Sequence, residues 1–274
     1  MLRALFTAAS GMVAQQTNID TISHNLANVN TTGFKKGRAE FQDLLYTQIT
    51  PPARGENQGI VVGQGARLSS IHRIMNGGTL QVTGGDYDVA ISGNGYFQVQ
   101  RADGTVAYSR DGAFHLDAER HLATANGDLI LGENGPITVP IEATDVTVGA
   151  DGTVTYQDTA LAATSKDGTA PQGAQQATVA IGRIQLAVFP NAAGLEALGD
   201  NLWGISANSG DATAAFPGDK EVGRLVQGYL EGSNVQSVEE MVNLIQAQRA
   251  YEINSKVIQS ADEMLGMTNN LRRG

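Results

Sequence analysis

The chain contains no cysteine. Disulfides, thiolate nucleophiles and cysteine-based zinc or iron–sulfur centres are therefore excluded. The compartment stays open, because an oxidising space also tolerates a cysteine-free protein. Aromatic residues are only 5% of the 274, which argues against a densely aromatic enzyme core. No run of about 18 apolar residues occurs, so no transmembrane helix is expected. Positive charge is also short: 18 basic against 28 acidic residues. The deficit lies in the middle, where residues 51–220 hold 9 basic and 18 acidic groups. That balance disfavours nucleic acid and anionic lipid as partners. The N-terminus, MLRALFTAASGMVAQQ, has one arginine and a small-residue AAS, but its large apolar residues are spaced rather than contiguous. It is expected to be retained, so any route out of the cytoplasm would cleave nothing.

What is present is periodicity at both ends. Leu2, Leu5, Ala9, Met12, Gln16, Ile19, Ser23 and Leu26 form a seam of period 3.5, flanked by Phe6, Val13 and Ile22. Met241, Leu244, Gln248, Tyr251, Ser255, Ile258, Asp262 and Leu265 repeat the stepping at the other end. Each seam carries polar residues. These are either surface positions of poorly formed helices or contacts that fix register, and their recurrence in both helices favours register. Such helices gain stability from packing, and two alone bury little, so the seams imply other copies as partners.

The middle follows a different rule. Short β-prone runs are separated by Asn94-Gly95, Asp103-Gly104, Asp111-Gly112, Asn126-Gly127 and Asp151-Gly152, the dipeptides that tight hairpin turns need. The predicted fold is α+β: terminal helices paired in coiled-coil fashion, with an antiparallel all-β domain inserted between them. The expected segments are helix 1–30, extended connector 31–67, β domain 68–232 and helix 233–274. Pro51-Pro52 stiffens part of the connector.

Chemical motifs are sparse. Glycine pairs 77-78 and 84-85 lack the spacing of a phosphate loop, and hairpin turns explain them. His115, Asp117, Glu119 and His121 alternate, which on one strand would align four metal-ligand types. LDAERHL reads better as a hairpin connection with solvated turn residues, so no metal and no cofactor is assigned. Asp86 and Asp88 are the only close acids that a glycan-acting enzyme could use, and alternation in a strand accounts for them too. Lys35, Lys36 and Arg38 form a basic cluster, either a solvated loop or a contact to an acidic neighbouring copy.

The stretch NLANVNTTGFKKGRAEFQDLLY, together with QRAYE at 248–252 and the segments DVAISGNGYFQV and AYSRDGAFHLD, resembles the flagellar axial proteins of rod and hook over essentially the whole chain. The resemblance implies a structural polymer and no enzyme. Subunits would be exported unfolded through the flagellar axis and stack helically into a periplasm-crossing tube. Terminal helices would line the channel, with the β domain outward, and the connector would pack on neighbouring subunits to keep the tube straight. Implied partners are further copies, proximal rod proteins, hook or hook-junction subunits, the peptidoglycan-ring and outer-membrane-ring bushings, the rod cap and the export apparatus. Implied subunit contacts are Leu5, Met12, Ile19, Leu26, Asn28, Gly33, Phe34, Met241, Leu244, Gln248, Tyr251, Ile258 and Leu265. The helix must stop near Asn28–Gly33 for the chain to turn outward, with Gly33 supplying the backbone freedom and Phe34 an anchor.

Overall fold

The computed structural model describes residues 2–48, 61–158 and 178–273. The stiffened part of the connector, at Pro51-Pro52, lies outside the described residues. Two compact units are present. One comprises residues 1–29, 36–74 and 235–274, and the other residues 30–35 and 75–234.

In the first unit, helix α1 spans Leu2–Ala27 and helix α2 spans Ser237–Arg273. At 1.5 Å per residue α1 is a rod of roughly 40 Å. Asn25 meets Glu240, and further along Gly11 lies beside Asn254, so the helices run antiparallel. The buried apolar residues of the two helices are mostly small: Ala8 and Ala14 on α1, Ala247 and Ala261 on α2, with Ile22 as the large one. A Cβ at Gly11 would sit 3.0 Å from the side-chain Nδ2 of Asn254, so the glycine leaves room for that amide.

This changes the seam of α2. Glu240, Ala247, Asn254 and Ala261 repeat every seven residues on the α1-facing side, one position from the expected Met241, Gln248, Ser255 and Asp262. Close packing selects small residues and pushes the large ones to the flanks. Leu5, Met12, Ile19 and Leu26 are accordingly half-buried, as are Leu244, Ile258 and Leu265, whereas Met241, Gln248 and Tyr251 are exposed.

Residues 36–74 differ from the expected extended connector. Strand β1 (Gly37–Asp43) pairs antiparallel with β4 (Ala66–Arg73), and β2 (Tyr46–Gln48) pairs with β3 (Val61–Gly63). Pairing satisfies backbone groups that a lone extended segment would leave to water. A boundary at 68 would fall inside β4; the β unit begins at 75.

The second unit is antiparallel β throughout. Strands β5 (Leu80–Val82), β6 (Val89–Ser92), β7 (Tyr96–Gln100), β8 (Val106–Ser109), β9 (Phe114–Leu116), β10 (Leu122–Thr124), β11 (Leu129–Gly132) and β12 (Gly135–Pro136) come first. They are followed by β13 (Ala143–Val148), β14 (Thr153–Asp158), β15 (Thr178–Arg183), β16 (Leu186–Val188), β17 (Glu196–Gly199), β18 (Leu202–Gly204), β19 (Thr213–Ala215), β20 (Arg224–Gln227) and β21 (Tyr229–Glu231). A ten-stranded sheet runs β17-β18-β8-β7-β11-β10-β9, with β12 on β11, β16 on β7 and β19 on β16. A three-stranded sheet, β13-β14-β15, and the pairs β6–β20 and β5–β21 complete it. Phe97, Val99, Ile130, Val154, Ile184 and Leu186 are completely buried in the main core. Tyr96, Tyr108, Phe189, Leu195 and Trp203 form a second, aromatic cluster.

Candidate functional site

The polar punctuation after Leu26 resolves into two sets of contacts, one in each unit. In the helical unit, Asn28 ends α1: its side-chain amide donates to the His24 carbonyl at 2.9 Å, and its backbone N–H to the Asn25 carbonyl at 3.1 Å. Asn25 is buried and works against β1. Its Nδ2 donates to the Gly37 carbonyl at 2.8 Å, and its Oδ1 accepts from the Gly37 N–H at 2.9 Å. The amide thus imitates a peptide group in a β-bridge. Nδ2 also reaches Glu240 Oε2 at 3.2 Å, tying the first turn of α2 to the last turns of α1. Lys36 Nζ lies 3.5 Å from Glu239 and 3.8 Å from Glu240. Because Glu240 is buried, these partners are what make its charge tolerable.

In the β unit, residues 30–35 are held from several sides. Phe34 N–H donates to the Thr31 carbonyl, closing a turn in which Gly33 has φ +68°. A Cβ on Gly33 would meet Asp111 N at 2.8 Å and Arg110 C at 2.9 Å, so the position requires glycine both for its φ and for space. The Gly33 N–H donates to the Glu231 carbonyl at 2.8 Å, and Asn201 Nδ2 donates to the Thr32 carbonyl at 3.0 Å. Phe34 is buried, and its carbonyl accepts from the Asn234 N–H.

Lys35 is wholly buried and pairs with Glu231 Oε1, while its Nζ also donates to the Asn76 carbonyl at 3.0 Å. Glu231, 1% exposed, takes Arg110 Nη1 on Oε2 at 3.1 Å and the Gly78 N–H on Oε1 at 2.9 Å. The Arg110 guanidinium lies 5.0 Å from the centre of the Tyr96 ring, a cation–π contact. Burial pushes the Lys35 ammonium below its ordinary value, against the pull of Glu231, and the nearby Arg110 lowers it further. Burial likewise raises the Tyr96 hydroxyl. Both oxygens of Glu231 are engaged, so this carboxylate ties the surrounding segments together. Neither sequence reading of the basic cluster describes Lys35, which is neither solvated nor on a surface. Arg38 does lie at the surface, paired with Glu40.

Of the sequence-level metal candidates, Asp117, Glu119 and His121 converge; His115 does not belong to that group. Arg110, Glu231, Asn25 and Glu240 were missed by sequence reasoning. Their partners lie too far along the chain for local patterns to reveal, although an acid that must be buried at the start of a helix, such as Glu240, offers a weak signal.

The family model for the flagellar basal body rod protein matches residues 5–35, that of the flagellar hook protein FlgE/F/G D1 domain residues 90–156, and that of the flagellar basal body rod FlgEFG protein C-terminal region residues 226–271. The three matches contain the residues just described: Asn25, Gly33 and Lys35 in the first, Arg110 in the second, Glu231 and Glu240 in the third. They define a flagellar rod or hook protein. The chain is 46% identical to the flagellar basal-body rod protein FlgG of Borreliella burgdorferi, covering 100% of both chains. It is 44% identical to FlgG of Caulobacter vibrioides over 99% of this chain and 100% of that one, and 39% identical to FlgG of Bacillus subtilis over 100% of both. It belongs to the FlgG family of flagellar basal-body rod proteins.

Proposed function

We propose that this chain is a structural subunit of the flagellar distal rod. It polymerises helically into a hollow, periplasm-spanning tube that carries torque from motor to hook, and it reaches that site without a cleaved signal. No described helix is long and apolar enough to cross a membrane. The relatives' names support a rod location, and the observation that carries the polymer reading is on α2. Val238, Val242, Ile245, Ile253, Val257, Met264, Met267 and Leu271 are exposed and follow one another at helical steps, interrupted at Arg249 and Ser260. Val242 lies about 200° around the helix from Glu240, away from the face that meets α1. A helix with one face covered and a second, apolar face open is built for a further partner, and the rod reading supplies it as other copies. Phe6 and Val13, 73% and 67% exposed, present a matching apolar surface on α1.

In this reading Leu5, Met12, Ile19, Leu26, Leu244, Ile258 and Leu265 flank a coiled-coil-like inner layer, and Met241, Gln248 and Tyr251 touch neighbouring subunits. Asn28, Gly33 and Phe34 contribute indirectly, by fixing where the chain leaves the layer. Proximal rod, hook, ring, cap and export proteins are the remaining partners.

The test is Val242→Asp and Ile245→Asp. Each forfeits roughly 1.5–3 kcal/mol of burial per subunit in the polymer and adds an unpaired buried charge, while the exposed monomer position loses little. Expected are an unchanged melting temperature, no rods by electron microscopy and no swimming. Normal rods from both variants would sink the proposal.

A further inference from the structure

The geometry points to a divalent transition-metal site on the β9–β10 hairpin, formed by Asp117, Glu119 and His121. It is independent of the rod reading. One ligand atom from each residue lies within 4.8 Å of the other two. Oxygen and imidazole donors bind zinc at about 2.0–2.2 Å, so atoms spaced this closely can share one ion.

The turn is held by groups that would not be ligands. Asp117 N–H donates to the His121 carbonyl at 3.0 Å, closing the hairpin beyond the Leu116–Leu122 pair. Arg120 is fastened to Val139 in both directions: its Nε donates to the Val139 carbonyl at 3.0 Å, and its carbonyl accepts from the Val139 N–H at 2.8 Å. The one cation of the turn is therefore tied to a backbone carbonyl, and no ion pair to Glu119 occurs among the described residues. Two neighbouring carboxyl groups and an imidazole offer the mixed oxygen and nitrogen donor set that a divalent transition ion takes.

Asp117 is also oriented. Its Oδ1 accepts the His121 N–H at 2.7 Å, leaving Oδ2 3.3 Å from His121 Nδ1. Asp117 is thereby held in one orientation, with Oδ2 turned toward the His121 ring. One nitrogen and two oxygens suit Zn²⁺ or a neighbouring transition ion better than Mg²⁺ or Ca²⁺, which favour all-oxygen shells. Three protein donors leave a coordination position open to water or to another molecule.

Isothermal titration of the full chain with zinc chloride tests this, with magnesium chloride as control and the His121 ring resonance followed by NMR. One saturable zinc site below about 1 mM is expected, at least about tenfold weaker in Glu119→Gln and His121→Ala. His115→Ala and His72→Ala should bind normally. Glu119 is exposed, so Glu119→Gln preserves the fold, and circular dichroism checks that. No saturation by about 1 mM, unchanged binding in His121→Ala, or equal affinity for magnesium would each overturn the assignment.

Discussion

Lys35 and Glu231 stand 196 residues apart in sequence and form an ion pair with side chains 0% and 1% exposed. The pair joins the segment entering the β unit to the strand that leaves it, and Arg110 binds the same carboxylate from a third segment. Two cations share one anion in a buried site, so the three residues are not interchangeable. Glu231→Gln strands both cations, and breaking a buried pair in this way costs about 3–5 kcal/mol. Lys35→Met leaves Glu231 with Arg110 and the Gly78 N–H, and should cost clearly less. Urea unfolding of the two variants reads the difference. A Lys35→Met loss equal to or larger than that of Glu231→Gln would contradict this account of the cluster.

Gly33 separates two causes of strain. Asparagine tolerates positive φ better than alanine does, so if φ +68° were the whole problem, Gly33→Asn would be milder than Gly33→Ala. The nearest neighbour of an added Cβ is the backbone N of Asp111 at 2.8 Å, which has no flexible end to move aside. Both variants are therefore expected to be similarly damaging, each by more than the roughly 1 kcal/mol that a compatible glycine replacement changes. Thermal unfolding and a motility assay would check it; a near-normal Gly33→Asn would mean that space is not limiting.

The terminal helices were legible because apolar residues recur at helical steps, and the β unit because Asn-Gly and Asp-Gly punctuate it. The register of α2 was not, since hydrophobic size marks Met241 and Tyr251 while close helix approach selects Ala247 and Ala261. The β1–β4 ribbon was hidden because its strands, Gly37–Asp43 and Ala66–Arg73, are separated by the proline- and glycine-bearing stretch that reads as a linker. Within the site, Gly33 and Phe34 could be read from local turn chemistry. The burial of Lys35 could not, because a lysine beside a second lysine looks solvated until Glu231 and Arg110 are placed next to it.

Two exposed turns of the β unit give a signature in acid. Asp103 accepts from the Thr105 hydroxyl and N–H, and Asp151 does the same with Thr153. These bonds hold both carboxyls below their ordinary 3.8. A lowered folded-state value means that the unfolded chain binds protons first as the pH drops. The contribution is complete above 3.8 and is lost as pH falls through the lowered values. Thr105→Val and Thr153→Val should leave the neutral-to-acid difference in melting temperature smaller than in the parent chain. An unchanged difference would remove these turns as a source of acid sensitivity.

Asn25 offers a test confined to the helical unit. Its amide makes two bonds with the backbone of Gly37 and one with Glu240, so both its donor and its acceptor are needed. Asn25→Asp keeps the shape and the acceptor but removes the donor, setting a second carboxylate against the buried Glu240. Asn25→Leu keeps the volume, yet leaves the Gly37 groups and Glu240 without this partner, at about 1–3 kcal/mol for each unsatisfied group. Asn25→Asp is expected to be the more harmful at neutral pH and to recover partly in mild acid, where one carboxyl takes a proton and can donate again. Asn25→Leu should show no such recovery. Hydrogen exchange of the α2 amides, compared between the two variants at both pH values, reads the helical unit directly. Equal protection in both variants at neutral pH would show that the Asn25–Glu240 contact does not hold the helices together.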